Sequence, residues 1–125
     1  MVTEDYCSFE LSKLLKEKGF DEECDWFYEE VGDLNRRTRN GCDKYINSLL
    51  DYGEYAAPTH QMAMKWLREV HKLHIDIDPS EGDWSPCVIE LENWSSLTGG
   101  EIAIQDTYEE AIEAALKYSL ENLIK

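Results

Sequence analysis

Thr59-His60-Gln61-Met62-Ala63-Met64-Lys65-Trp66-Leu67-Arg68-Glu69-Val70-His71-Lys72-Leu73-His74-Ile75-Asp76-Ile77-Asp78-Pro79 changes its periodicity part-way along. Met62, Trp66, Val70 and Leu73 recur at spacings of four, four and three, and Ala63 and Leu67 widen the stripe. The spacing predicts a helix over 59–73, with Thr59 as N-cap behind Pro58. His74 to Asp78 then alternates with period two and stops at Pro79, which predicts a short strand entered directly from the helix. A switch of period without a linker marks a mixed fold of helices and sheet.

Working outward, residues 79–83 form a loop, and Cys87-Val88-Ile89-Glu90-Leu91-Glu92 reads as a strand whose Cys87, Ile89 and Leu91 face is taken as core. Gly99-Gly100 turns the chain into Glu101-Ile102-Ala103-Ile104-Gln105, a pairing strand with Ile102 and Ile104 on one face. Thr107-Tyr108-Glu109-Glu110 is a capping box that opens a helix through Ala111, Ile112, Ala115, Leu116, Leu120, Leu123 and Ile124. Toward the N-terminus, Leu11, Leu14 and Leu15 share one side of a helix over 8–19, closed by Gly19. The aromatic run Cys24-Asp25-Trp26-Phe27-Tyr28-Glu29 predicts a strand, and a second pairing strand starts near Leu34. Asn35 to Gly41 follows neither period, Asn40-Gly41 marks a turn, and residues 35–57 are left without an assigned element. The order α-β-(β)-α-β-β-β-α with short connections gives an α+β domain spanning residues 1–125. Its expected architecture is an antiparallel sheet of about four or five strands, packed on one face by three helices.

The 27 acidic and 12 basic side chains leave a net charge of −15 over 125 residues. The excess is uneven, with balances of −8 over residues 1–34, +3 over 35–75 and −10 over 76–125. Such a surface repels phosphate backbones, so direct nucleic-acid binding is not expected. Mean hydropathy is −0.55 and no apolar run approaches the length of a membrane span. The acidic start Met1-Val2-Thr3-Glu4-Asp5 lacks the features of a signal peptide, and a cytoplasmic location is the expectation. In that setting Cys7, Cys24, Cys42 and Cys87, spaced without a CxxC pair, are expected to be free thiols, and the sequon Asn93-Trp94-Ser95 is a chance match.

Motifs for chemistry are weighed and set aside. His71 and His74 stand three apart with Asp76 and Asp78 behind them, but no further Cys or His completes a tetrahedron. Asp76-x-Asp78-x-Ser80-x-Gly82 has a calcium-loop rhythm, yet its glycine is one position late, Pro79 stiffens the fourth position and Cys87 stands at the twelfth. The four cysteines lie in no nucleophile elbow, and Gly99-Gly100 lacks a following lysine and helix. No catalytic, metal or cofactor residues are therefore assigned, and the chain is not expected to be an enzyme. The candidate interaction surface comprises the basic cluster Arg36, Arg37 and Arg39 with Trp84 and Trp94, two tryptophans placed in loops beside the Cys87 strand.

Several stretches also resemble a known group. They are Ala57-Pro58-Thr59 with the helix that follows to Lys72, then Cys87-Val88-Ile89-Glu90, Thr107-Tyr108-Glu109-Glu110-Ala111-Ile112 onward to Tyr118, Ser8-Phe9-Glu10, and Leu14-Leu15-Lys16-Glu17-Lys18-Gly19-Phe20-Asp21. Together they look like a family of small proteins encoded by gut-bacterial genomes and their prophages. The C-terminal half is similar to the phage helix/sheet sandwich ("ABA") domains. The resemblance implies the fold and a phage or mobile-element setting, and it brings no catalytic residues with it. The expected function is thus a small acidic protein-interaction module, binding an unidentified protein or a second copy of itself. A DNA-mimic inhibitor of a host DNA-binding protein is the alternative, and an enzyme with an unrecognised site stands behind both.

Overall fold

Ser8 opens the first helix by accepting the Leu11 N–H on its hydroxyl at 3.2 Å, and α1 runs Phe9–Glu17 with Leu11, Ser12 and Leu15 buried. Gly19 closes it at φ +95°, a left-handed conformation that lets the Phe20 N–H reach back to the Leu15 carbonyl at 2.9 Å. These features belong to a computed structural model, which describes residues 4–29, 34–35, 45–98 and 100–124. The chain divides into two compact units, Met1–Thr59 and His60–Lys125.

In the first unit, β1 (Trp26–Tyr28) pairs antiparallel with β2 (Leu34–Asn35) on one side and with β3 (Tyr55–Ala57) on the other, giving the order β2-β1-β3. α1 packs on β3. Phe20, Phe27, Tyr45 and Ala56 are buried, with the Phe27 and Tyr45 rings 4.8 Å apart. Asn47, at the start of a 3-10 turn over Asn47–Leu49, binds this core together. Its side-chain amide donates to the Phe20 carbonyl at 2.7 Å and its oxygen accepts the Ala56 N–H at 2.8 Å.

In the second unit, α2 (His60–His71) ends at Lys72, whose φ of 59° turns the chain straight into β4 (Leu73–Ser80). Glu81 (φ 48°) and Gly82 (φ 94°) form a two-residue turn of the type whose twist suits hairpins, and β5 (Asp83–Glu90) returns antiparallel along β4. β6 (Ser95–Ser96) pairs with the end of β5, so this sheet has the order β4-β5-β6. Thr107 caps α3 (Tyr108–Tyr118), accepting the Glu110 N–H at 3.1 Å. A π-helical turn over Ser119–Leu123 follows, where the buried Ser119 hydroxyl donates to the Ala115 carbonyl at 2.8 Å. α2 and α3 touch each other and this sheet, burying Ala63, Leu67, Ile75, Val88, Ile112 and Leu116. Among the described residues no helix is long and apolar enough to cross a membrane.

The α+β class and the three helices match the sequence reading, and four details differ. Among the described residues the expected single sheet of four or five strands is two three-stranded sheets, and the strand β3, within the stretch 35–57 left unassigned, adds an element before α2. The buried stripe of α2 is His60, Ala63, Met64, Trp66 and Leu67, while Val70 is 57% exposed, so the helix is rotated from the expected face. The two-residue turn sets Ile75 opposite Val88 and Asp76 opposite Cys87. With Leu73 and Ile75 pointing inward, the even-numbered residues of β5 point inward too, which reverses the expected core face. Finally, residues 101–105 do not form a strand. Only Gln105 bridges to Trp84, with N–H···O bonds of 2.9 Å both ways, because β6 already occupies the far end of the same β5 edge.

Candidate functional site

The feature that stands out from the surface is the turn between β5 and β6. Glu90 ends β5, and its carboxylate accepts the Glu92 N–H at 3.1 Å and the Asn93 side-chain amide at 2.9 Å. The Leu91 N–H donates to the Lys72 carbonyl at 2.9 Å and anchors the turn's base to the end of α2. Trp94 completes the turn at φ 56°, a conformation that costs a bulky residue on the order of 1 kcal/mol and persists only where surroundings fix it. The residue is 80% exposed. Glu92, Asn93, Ser95, Ser96 and Leu97 around it are exposed as well. The turn is held in one geometry by its own hydrogen bonds and presents the largest of side chains to solvent, flanked by carboxylates.

The other sequence candidates fall in different places. Trp84 lies within β5 and not in a loop. It is half-buried, meets the Tyr108 ring edge-on at 5.3 Å, and shares two backbone bonds with Gln105. Its ring closes the edge of the second unit. Arg36, Arg37 and Arg39 lie outside the described residues, as does Cys42. His71 and His74 are split by the left-handed Lys72. The His71 ring packs against Trp66 at 4.8 Å with its Nε2 buried and unpartnered, and burial lowers its pKa from the usual 6.5. His74 instead stands on the solvent face of β4 with Asp76 and Asp78. The calcium-like stretch is the β4–β5 hairpin itself, its alternate residues spread along an extended strand instead of wrapping a cation.

Cys7 and Cys24 are buried cysteines of the first unit, and Cys87 is a half-buried one on the solvent face of β5. A recess of about 300 Å³ in the first unit is lined by Lys16, Gly19, Phe20, Asp21, Asn47 and Ser48. Its polar groups are committed to the fold. Lys16 Nζ donates to the Glu54 carbonyl at 2.8 Å, and the Ser48 N–H donates to Asp21 Oδ1 at 2.7 Å. One polar contact escaped the sequence reading altogether. His60, buried in the first turn of α2, meets the Glu113 carboxylate of α3 through Nε2 at 2.7 Å, a pairing across 53 positions that no local pattern announces.

No known protein family matches the chain, and no curated protein and no solved structure matches it.

Proposed function

We propose that the chain is a small acidic, cytoplasmic protein-interaction module of phage or mobile-element type, with a binding role and not a catalytic one, and that the Trp94 turn is its docking element. The observation that carries this reading is a tryptophan 80% exposed at positive φ in a turn braced by Glu90. Free display of such a ring forgoes the stabilisation its burial would give, and tryptophan is the residue type that most often dominates a protein–protein interface. The flanking Glu90 and Glu92 and the net charge of −15 fit a partner pocket that is apolar at its floor and basic at its rim.

The test uses the immobilised full chain, wild type and Trp94→Ala, against host lysate at low and high salt, followed by affinity measurement on the recovered partner. Support would be a partner that persists in high salt and loses more than about tenfold in affinity to Trp94→Ala, the scale of a hot-spot truncation. Capture indifferent to Trp94→Ala would sink the reading. If the captured protein also binds DNA and is released by duplex DNA or by salt, the acidic surface as a DNA mimic would replace it.

A further inference from the structure

We propose that the second unit pairs with a second copy of this chain along the outer edge of β4, antiparallel about a two-fold axis through Ile75. This does not depend on the role of Trp94.

The phase of the ladder identifies the backbone groups left over. The Leu91 N–H donates to the Lys72 carbonyl, so these two residues are a hydrogen-bonded pair, and in an antiparallel ladder such pairs recur at alternate positions. His74, Asp76 and Asp78 therefore spend their backbone groups on Ile89, Cys87 and Ser85 of β5. Leu73, Ile75 and Ile77 direct their N–H and C=O groups the other way, off the outer edge of the sheet β4-β5-β6. Among the described residues no strand or bridge lies along that edge, and no hydrogen bond takes up these groups. A row of unpaired backbone groups on a long edge strand is a template for another strand. Pro79, in the same phase, ends the row because it has no N–H to offer.

The side chains select the occupant. β4 is basic where it begins and acidic where it ends: Lys72 precedes it and His74 is its second residue, while Asp76 and Asp78 follow. Two such strands are complementary when they run antiparallel. Centred on Ile75, the pairing sets Ile75 against the partner's Ile75 and Leu73 against the partner's Ile77. All of these are hydrogen-bonded pairs, which exchange both N–H···O bonds. Ile77, on the inner face but half-buried, then lies beside the partner's Leu73. On the solvent face the same register sets His74 against the partner's Asp76 and brings Lys72 level with the partner's Asp78. These fall at the non-hydrogen-bonded positions, where Cα atoms stand about 4.5 Å apart and cross-strand side chains meet most closely. Moving the axis by one residue sets Asp76 against the partner's Asp76 or His74 against the partner's His74, like against like. Moving it by two brings Pro79 into the ladder at one end or runs into α2 at the other.

Analytical ultracentrifugation of the full chain across a range of concentrations tests it. The expected mass rises from 14.6 kDa toward twice that value, and the Leu73, Ile75 and Ile77 amides exchange more slowly by NMR as it does, because those three gain acceptors. Ile77→Pro removes an outward N–H that the folded monomer does not use, a change an edge strand tolerates, and should raise the dissociation constant at least about tenfold. Asp76→Lys on the solvent face should weaken the dimer severalfold, and His74→Asp combined with Asp76→Lys, which exchanges the charges across the axis, should restore it. Circular dichroism checks that each variant is folded, and the solvent-face pair carries the test if Ile77→Pro is not. A chain that stays at the monomer mass at about 1 mM, where even weak specific pairing shows, overturns the proposal. So does a dimer that folded Ile77→Pro leaves intact, or one that the double substitution fails to restore.

Discussion

His71 shows how one side chain can make stability depend on pH. Its Nε2 is buried without a partner beside Trp66, so burial favours the neutral ring and lowers the pKa in the folded state. The unfolded chain, with the usual value of 6.5, binds a proton at higher pH than the folded chain does. Stability from this group is therefore complete above about pH 6.5 and is lost as pH falls below it toward the folded value. Denaturant titrations at pH 7.5 and 5.5 should show a lower midpoint at the acidic end, and His71→Leu should shrink the difference. An unchanged difference in the variant would assign the effect elsewhere. Asn47 gives a second residue-level expectation. Asn47→Ala strips partners from the Phe20 carbonyl and the Ala56 N–H, two backbone groups of one core, and should cost about 3 kcal/mol in urea unfolding.

At the scale of elements, caps and turns were readable because they are local. Thr107 and Glu110 announced α3, and Thr107→Ala should lower stability by about 1 kcal/mol, measurable as a shift in the unfolding midpoint. Ser8 and Gly19 likewise bounded α1 within a residue or two. Facing was not local. Cys87 and Val88 differ by one position, and which of them turns inward depends on the length of the turn at Glu81 and Gly82 and on Ile75 across the ladder. For the same reason Trp84 read as a loop residue, although its ring packs on Tyr108 and its backbone pairs with Gln105. Trp84→Ala should accordingly lower the thermal midpoint, whereas Trp94→Ala, whose ring touches mostly water, should leave it within error. Of the candidate surface, Trp94 could be named from sequence but its braced turn could not, since Glu90 gained that role only once β5 and β6 were paired.

At the scale of the whole molecule, the net charge of −15 acts through solvent and through self-repulsion. Raising salt from about 20 mM to 200 mM shortens the screening length severalfold and should raise the thermal midpoint. A midpoint independent of salt would mean that local pairing already balances the excess acid. The division into two sheets was not legible at this scale, because the strand count of a sheet is a property of long-range pairing and residues 35–57 offered no assigned strand to count.

The tryptophans also give the protein its own optics. Trp66 is 7% exposed and lies against an imidazole, while Trp94 is 80% exposed in a carboxylate-flanked turn. Emission from Trp94 will be red-shifted and readily quenched by acrylamide, and emission from Trp66 will be blue-shifted and will dim when its histidine neighbour takes a proton. With Trp26 and Trp84 replaced by phenylalanine, a single ultraviolet-excited spectrum follows the tip and the core separately, with no label attached.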